Sequence, residues 1–167
     1  MTNHDQNTDT EIVNEWDEYA EGWDGDDAAR TYAASAFASL EGLLDARGAT
    51  LAAASVIDSG CGTGLLTEQL VAAGAVVHAV DTSPAMLSVL DAKIARHGWA
   101  TVTTSTSLPP NDVSFDLVFC SSVCSFLDDY PGAVRDLDAR LAPRWTANSS
   151  GTGNKRTTTL TASVGRR

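Results

Sequence analysis

Between Val56 and Leu65 the chain reads VIDSGCGTGL, and no other stretch limits the fold as much. Ala54 to Asp58 is a short apolar run of strand length. Leu65, Leu66, Gln69, Leu70 and Ala73 then follow at helical spacing, up to a stop at Gly74. Gly60, Gly62 and Gly64 therefore lie on a strand-to-helix turn. Side chains there would keep a ligand off the backbone, and a tight turn asks for positive φ. Glycine satisfies both demands. The helix behind the turn points its free N–H groups at whatever lies in front.

The same alternation continues on both sides. Val76–Val80 reads as a second strand. Ser83-Pro84 is a helix start, with serine as cap and proline in the first turn, and Met86, Leu87, Leu90 and Ile94 line that helix up to Gly98. Thr101–Thr104 and Asp116–Cys120 read as a third and a fourth strand. Asp128 or Asp129 caps a last helix through Ala133, Val134, Leu137 and Leu141, before Pro143. Ahead of the first strand, Ile12, Val13, Trp16, Tyr19, Ala20 and Trp23 recur at steps that suit an amphipathic helix or a pair of turns. Asp26 or Asp27 can cap a second helix running toward Leu44. Strand and helix in turn predict an α/β fold, a Rossmann-like parallel sheet with flanking helices and an N-terminal helical cap.

Spacing narrows the ligand. A nicotinamide fingerprint is GxGxxG and a phosphate loop is GxxxxGK[ST]; here the glycines run GxGxG, Leu65 stands next and no lysine follows. The expected ligand has no pyrophosphate to cradle. Asp81 closes the second strand, 21 residues after Gly60, where a carboxylate can accept from both ribose hydroxyls or can simply cap the next helix.

VIDSGCGTGLLT followed by VHAVDTSPAML resembles the class I S-adenosylmethionine-dependent methyltransferases. The resemblance spans roughly residues 11–143. It implies S-adenosyl-L-methionine as cofactor, with Asp58, Gly60, Cys61, Gly62 and Gly64 around the methionine end. Asp81 would hold the ribose, with Thr82 and Met86 beside it. The head WDEYAEGWDGDD looks like the family's N-terminal lid, which makes Tyr19 and Trp23 candidates to touch the cofactor, although Trp16, Tyr19 and Trp23 can equally bury a helix face. The third strand lacks the family's usual acidic end, so the adenine contact falls to Ser105, Thr106 or backbone; Trp99 either flanks the ring or belongs to the core.

In relatives the fourth strand lies near the transferred methyl. Cys120, Ser121, Ser122 and Cys124 are pocket-lining candidates, with small buried packers as the alternative for the cysteines. Transfer from a sulfonium is largely a matter of positioning and desolvation, and no catalytic base is assigned. Asp116 caps the start of its strand. LVFCSS is not the NPPY type that grips a planar amino group, which favours a small-molecule acceptor. A non-catalytic nucleotide-binding or interaction module on the same sheet is the alternative function.

Charge supports the same direction. The 167 residues carry 22 acids and 11 bases, a net charge of −11, which disfavours nucleic acid and anionic lipid as partners. The surface suits either a salt-loving organism or an ordinary acidic protein. No run approaches the roughly 18 apolar residues of a membrane helix, and MTNHDQNTDTE is no import or export signal, so a cytoplasmic protein is expected. Three cysteines without a CxxC and three scattered histidines predict neither disulfides nor a metal site.

All the acids fall within residues 1–138; residues 139–167 hold six bases and none. The expected division is a flexible lead over 1–10, a cofactor-binding domain over 11–143 (helical cap 11–48) and a disordered tail over 144–167. The family continues with a further strand after the last helix, and here the text turns to RWTANSSGTGNKRTTTLTASVGRR. A reading-frame shift just after Pro143 accounts for the change, because permitted codons for residues 144–155 spell an acidic, strand-like segment in another frame. The alternative is an authentic divergent tail. On either view the fourth strand is expected to be a bare edge in a 3-2-1-4 sheet, and the chain a weak enzyme.

Overall fold

A computed structural model describes residues 14–121, 123, 129–142 and, as backbone, 158–162. Five parallel strands form one open sheet in the order β3-β2-β1-β4-β5, with β1 Ser55–Ser59, β2 Val76–Val80, β3 Val102–Ser105, β4 Leu117–Ser121 and β5 Thr158–Ala162. Register is continuous through the centre: Ile57 faces His78 on β2 and Val118 on β4. Among the described residues are four helices: α1 Asp27–Asp45, ahead of β1, and α2 Leu65–Ala72, α3 Pro84–His97 and α4 Tyr130–Asp138, each between two strands in the chain.

Period-two alternation sends neighbouring strand residues to opposite faces, and both faces are apolar because both are covered. Val56, Val77, Ala79, Leu117 and Phe119 pack against Leu40 of α1, Leu66 and Leu70 of α2, and Leu87 and Leu90 of α3. Their neighbours Ile57, Val80, Val118 and Cys120 pack on the other face with Leu137 of α4. Three helices share the first face, which gives the glycine turn a thick support. Behind α4, Phe115 N–H donates to the Arg140 carbonyl at 2.8 Å and Ala142 N–H to the Phe115 carbonyl at 2.9 Å, fastening the helix end beside the start of β4.

Local chemistry sets the boundaries. Asp26 caps α1 by accepting from the Ala28 and Ala29 amides, and Ser83 caps α3 by accepting from Met86, with Pro84 in the first turn. Gly98, at φ +67°, ends α3 in the left-handed conformation. Asp129 caps α4 through Gly132. Ahead of α1 the pair of turns is what forms: 3-10 turns at Asp17–Tyr19 and Trp23–Gly25.

The tail departs from expectation. Thr158–Ala162 lies beside β4, with Leu117 opposite Thr158 and Ser121 opposite Ala162. β4 is therefore an inner strand, and those five residues are not an unstructured tail. The edge of β4 offers a row of unpaired N–H and C=O groups, and the β-branched threonines at 158, 159 and 161 suit a strand that can satisfy them. Residues 1–13, including Ile12 and Val13, lie outside the described residues, as do Ser122, Cys124, Asp128, Pro143 and the remainder of the tail.

Candidate functional site

The three glycines of the turn all have positive φ, and each has a different neighbour. Gly60, at φ +76°, lies under Val123: a Cβ there would fall 1.8 Å from Val123 Cγ2. Gly64, at φ +88°, lies against α3, where a Cβ would fall 2.5 Å from Leu90 Cδ1. Only Gly62 has room, since a Cβ would meet Trp23 Nε1 at 3.8 Å and Met86 Sδ at 3.9 Å, both ordinary contacts. Gly60 and Gly64 thus serve close packing, and Gly62 is the open point of the turn.

Asp81 faces that point. Its Oδ2 accepts from Gly62 N–H at 2.8 Å and its Oδ1 from Ser83 N–H at 2.9 Å. One carboxylate thereby ties the glycine turn to the head of α3. Carboxylate oxygens have about four acceptor sites between them, so Asp81 can keep both backbone bonds and still accept from a vicinal diol. Thr82, next in sequence, accepts from Asn14 Nδ2 at 3.2 Å.

Asp58 lies beneath the turn, 1% exposed. Its Oδ2 accepts from Thr67 Oγ1 of α2 at 2.7 Å. Burial pushes its pKa up to about 6, the Thr67 hydrogen bond opposes this, and the nearby Asp81 charge adds to it. This carboxylate is held by a neutral hydroxyl of α2. Burial also raises the Cys61 thiol well above the ordinary thiol range, with Asp58 and Asp81 adding to the rise, so Cys61 is a packed thiol and not a nucleophile.

The other predicted residues divide. Trp23 and Met86 flank Gly62. Tyr19 stands away, 56% exposed, its ring 5.9 Å from that of Trp16. Cys120 is buried in the α4-side core with Ile57, Val80 and Val118. The Ser105 hydroxyl donates to the Ser107 carbonyl at 2.6 Å and lies 3.1 Å from His78 Nε2, so its donor is spent on its own loop rather than offered to an adenine. The reason is parity: in β3 Ser105 shares a face with Thr103, and both meet His78. Trp99 joins the main core and stacks on His97. Asp116 binds the start of β1, its Oδ2 accepting from Ser55 N–H and Oγ, both at 2.9 Å.

Sequence reasoning passed over Thr63 and the role of Lys93, and gave Ser121 as a pocket-lining candidate without naming its partner. Thr63, fully buried in the turn, donates from Oγ1 to Asp24 Oδ1 at 2.6 Å. Ser121, at the end of β4, donates to the Tyr32 hydroxyl of α1 at 2.9 Å. Lys93 sits buried on α3. Its sequence signal was present, a cation three residues after Leu90 on the apolar stripe. Two small hollows lie at the opposite, amino end of the strands, lined by Leu44, Thr50 and Leu51, and contain none of the predicted site residues.

An open 3-2-1-4-5 sheet whose glycine turn faces an acid at the end of the next strand defines a class: a Rossmann-like α/β domain that holds a nucleoside-bearing cofactor at the carboxyl ends of β1 and β2. The family model described as "Methyltransferase domain" matches residues 57–144, just over half of the chain, and the chain belongs to that S-adenosylmethionine-dependent family. It is 37% identical over 92 residues to the malonyl-(acyl-carrier protein) O-methyltransferase of Halorhodospira halophila, covering 53% of this chain and 31% of that protein. It is 33% identical over 91 residues to the ubiquinone biosynthesis O-methyltransferase of Methylocella silvestris, covering 53% of this chain and 36% of that protein. The chain thus spans about a third of the length of these curated relatives. Among solved structures it resembles magnesium protoporphyrin IX methyltransferase from Synechocystis PCC 6803 with bound SAM, at 25% identity and a TM-score of 0.56 over 69% of this chain and 57% of that one. The DhpI–SAH complex matches at 25% identity and a TM-score of 0.58, over 77% of this chain and 61% of that one. Among the described residues, no helix is long and apolar enough to cross a membrane.

Proposed function

We propose that this chain binds S-adenosyl-L-methionine at the carboxyl ends of β1 and β2 and takes part in methyl transfer to a small molecule. The observation that carries the reading is the Asp81 carboxylate bonded to the amide of Gly62, the one open glycine of the turn. Asp81 accepts the ribose hydroxyls, the turn receives the methionine part over Gly62, and the buried Asp58 offers a negative charge to the amino group. Trp23, through its indole nitrogen, and Met86, through its sulfur, line the site beside Gly62. When bound, the cofactor would supply an electrophilic methyl on a sulfonium, open to in-line attack by an acceptor atom with the thioether, S-adenosylhomocysteine, as leaving group. The protein contributes position and exclusion of water, and the proton lost by the acceptor passes to solvent.

Two features support a small acceptor. The net charge of −11 disfavours a nucleic-acid substrate, and β4 ends in Phe119-Cys120-Ser121 rather than in a motif that grips a planar amine. The curated relatives quoted above are named as O-methyltransferases, which makes a hydroxyl or carboxyl oxygen the first acceptor type to try. Thermal shift with S-adenosylhomocysteine, NAD and ATP tests the cofactor. Stabilisation by S-adenosylhomocysteine alone is expected, and stabilisation by NAD alone would overturn the reading. Labelled methyl transfer to a panel of small acids and alcohols then tests the reaction, and tight, salt-sensitive binding to RNA or DNA would refute a small acceptor.

A further inference from the structure

We propose that the buried Lys93 and the half-buried Asp24 form an ionic clasp that fastens the N-terminal segment beside the glycine turn and slows departure of whatever occupies it; the last part rests on the cofactor reading above. Asp24 follows Trp23, whose indole nitrogen stands beside Gly62. One oxygen of Asp24 accepts from Thr63 of the turn itself, at 2.6 Å. The other lies 2.7 Å from Lys93 Nζ. Lys93, 5% exposed, also lies 2.8 Å from Glu68 Oε1. Both contacts are close ion pairs whose angles fall outside hydrogen-bond geometry. A single ammonium therefore joins three parts: the N-terminal segment through Asp24, α2 through Glu68, and its own helix α3. These two helices flank the turn.

Among residues 14–25 only Ala20 is fully buried, and Trp16 and Trp23 are half-buried, so the apolar anchoring of the segment is partial. Other fastenings lie along it: Asp17 Oδ1 accepts from Ser83 Oγ at 2.5 Å and from Ala85 N–H at 3.3 Å, Asn14 Nδ2 donates to Thr82 at 3.2 Å, and at the far end the Asp24 carbonyl accepts from Arg30 Nη1 of α1 at 3.1 Å. The segment is thus a strap pinned at both ends by polar contacts, with Trp16 and Trp23 edge-on between the pins, ring centroids 6.2 Å apart. A strap held by a few charges can release as a unit, whereas one held by core packing could not. Only the ammonium of this pair is buried, and the Asp24 side chain is 36% exposed, so without Lys93 the Asp24 carboxylate gains by turning to water, which loosens this end of the segment. Lys93 is a positioning residue on this view: it acts on the site through Asp24 and Trp23.

The test uses the full chain, with Lys93→Met to remove the charge at similar volume, Asp24→Asn to cut the same contact from its exposed side, and Lys93→Arg as the conservative variant. Amide exchange at Gly25 and Asp26, whose N–H groups bond to the Gly22 and Trp23 carbonyls, reads the strap without any ligand. Stopped-flow tryptophan fluorescence with S-adenosylhomocysteine reads dissociation. Lys93→Met and Asp24→Asn should each speed both on the order of tenfold, the double variant should be no worse than either single one, and Lys93→Arg should stay close to wild type. Should Lys93→Met fail to fold, Asp24→Asn still reports on the contact. Unchanged exchange at Gly25 and Asp26 in a folded variant overturns the clasp. Faster exchange with unchanged dissociation overturns its control of the site. Failure of the wild-type chain to bind S-adenosylhomocysteine overturns the cofactor reading and leaves the clasp to be judged by exchange alone.

Discussion

At neutral pH, replacing Asp58 by asparagine should make the ligand-free chain more stable. Asp58 is 1% exposed, and its pKa stands at about 6 against an ordinary value of 3.8. Because the folded-state pKa is the higher one, the folded chain binds more protons than the unfolded chain between roughly pH 4 and 6. Stability from this group is complete below the unfolded value and is lost as pH rises through the folded one. A difference of about two pKa units at about 1.4 kcal/mol each puts the cost of the charged form at about 3 kcal/mol at pH 7. Asparagine carries no charge and retains an oxygen to accept from Thr67, so that cost disappears. Urea unfolding of both proteins from pH 4 to pH 8 checks this. The Asp58→Asn variant should lead by up to about 3 kcal/mol at pH 7.5, and the lead should close toward pH 4. The same variant should lose much of the stabilisation that S-adenosylhomocysteine gives the wild type, since the stored charge is what an ammonium would meet. A stability difference that does not vary with pH would refute the reasoning, because it would mean Asp58 titrates alike in both states.

Asp81→Ala should weaken S-adenosylhomocysteine binding tenfold or more by calorimetry, as each charge-assisted hydrogen bond lost is worth about 1.5–3 kcal/mol; unchanged affinity in a folded variant would remove Asp81 from the site. Gly64→Ala should cost several kcal/mol in urea, because a Cβ at φ +88° would sit 2.5 Å from Leu90. Gly62→Ala should cost less, about 1–2 kcal/mol from backbone strain, while weakening ligand binding more than Gly64→Ala does; equal losses of stability would undo the distinction drawn between these glycines. Sequencing the coding DNA should show another frame that continues an acidic, β-rich segment after Pro143, and a stretch with no such frame would leave the basic tail as the authentic one.

Most of the strands and helices were legible in the sequence because they are decided locally. Asp26, Ser83-Pro84 and Gly98 each meet a backbone demand within four residues of themselves, and the short runs at 55–59, 76–80 and 117–121 are mostly apolar and mostly buried. The glycine turn and Asp81 were legible for a related reason: the chain must turn and stop side by side at adjacent strand ends, and few residue types permit it. Tertiary structure alone decided what depends on facing partners. Whether Ser105 reads a ligand or its own loop depends on strand parity, which one residue reverses. Gly60, Gly62 and Gly64 look alike in the sequence and are told apart only by Val123, Trp23 and Leu90, brought in from three other segments. Lys93 showed as a cation on an apolar stripe, but its two carboxylates come from a turn and a helix far away in the chain. The pairing of Thr158–Ala162 with β4 has the same origin: a threonine-rich stretch has no fixed structure of its own, and it becomes a strand where an edge of unpaired backbone groups is there to receive it.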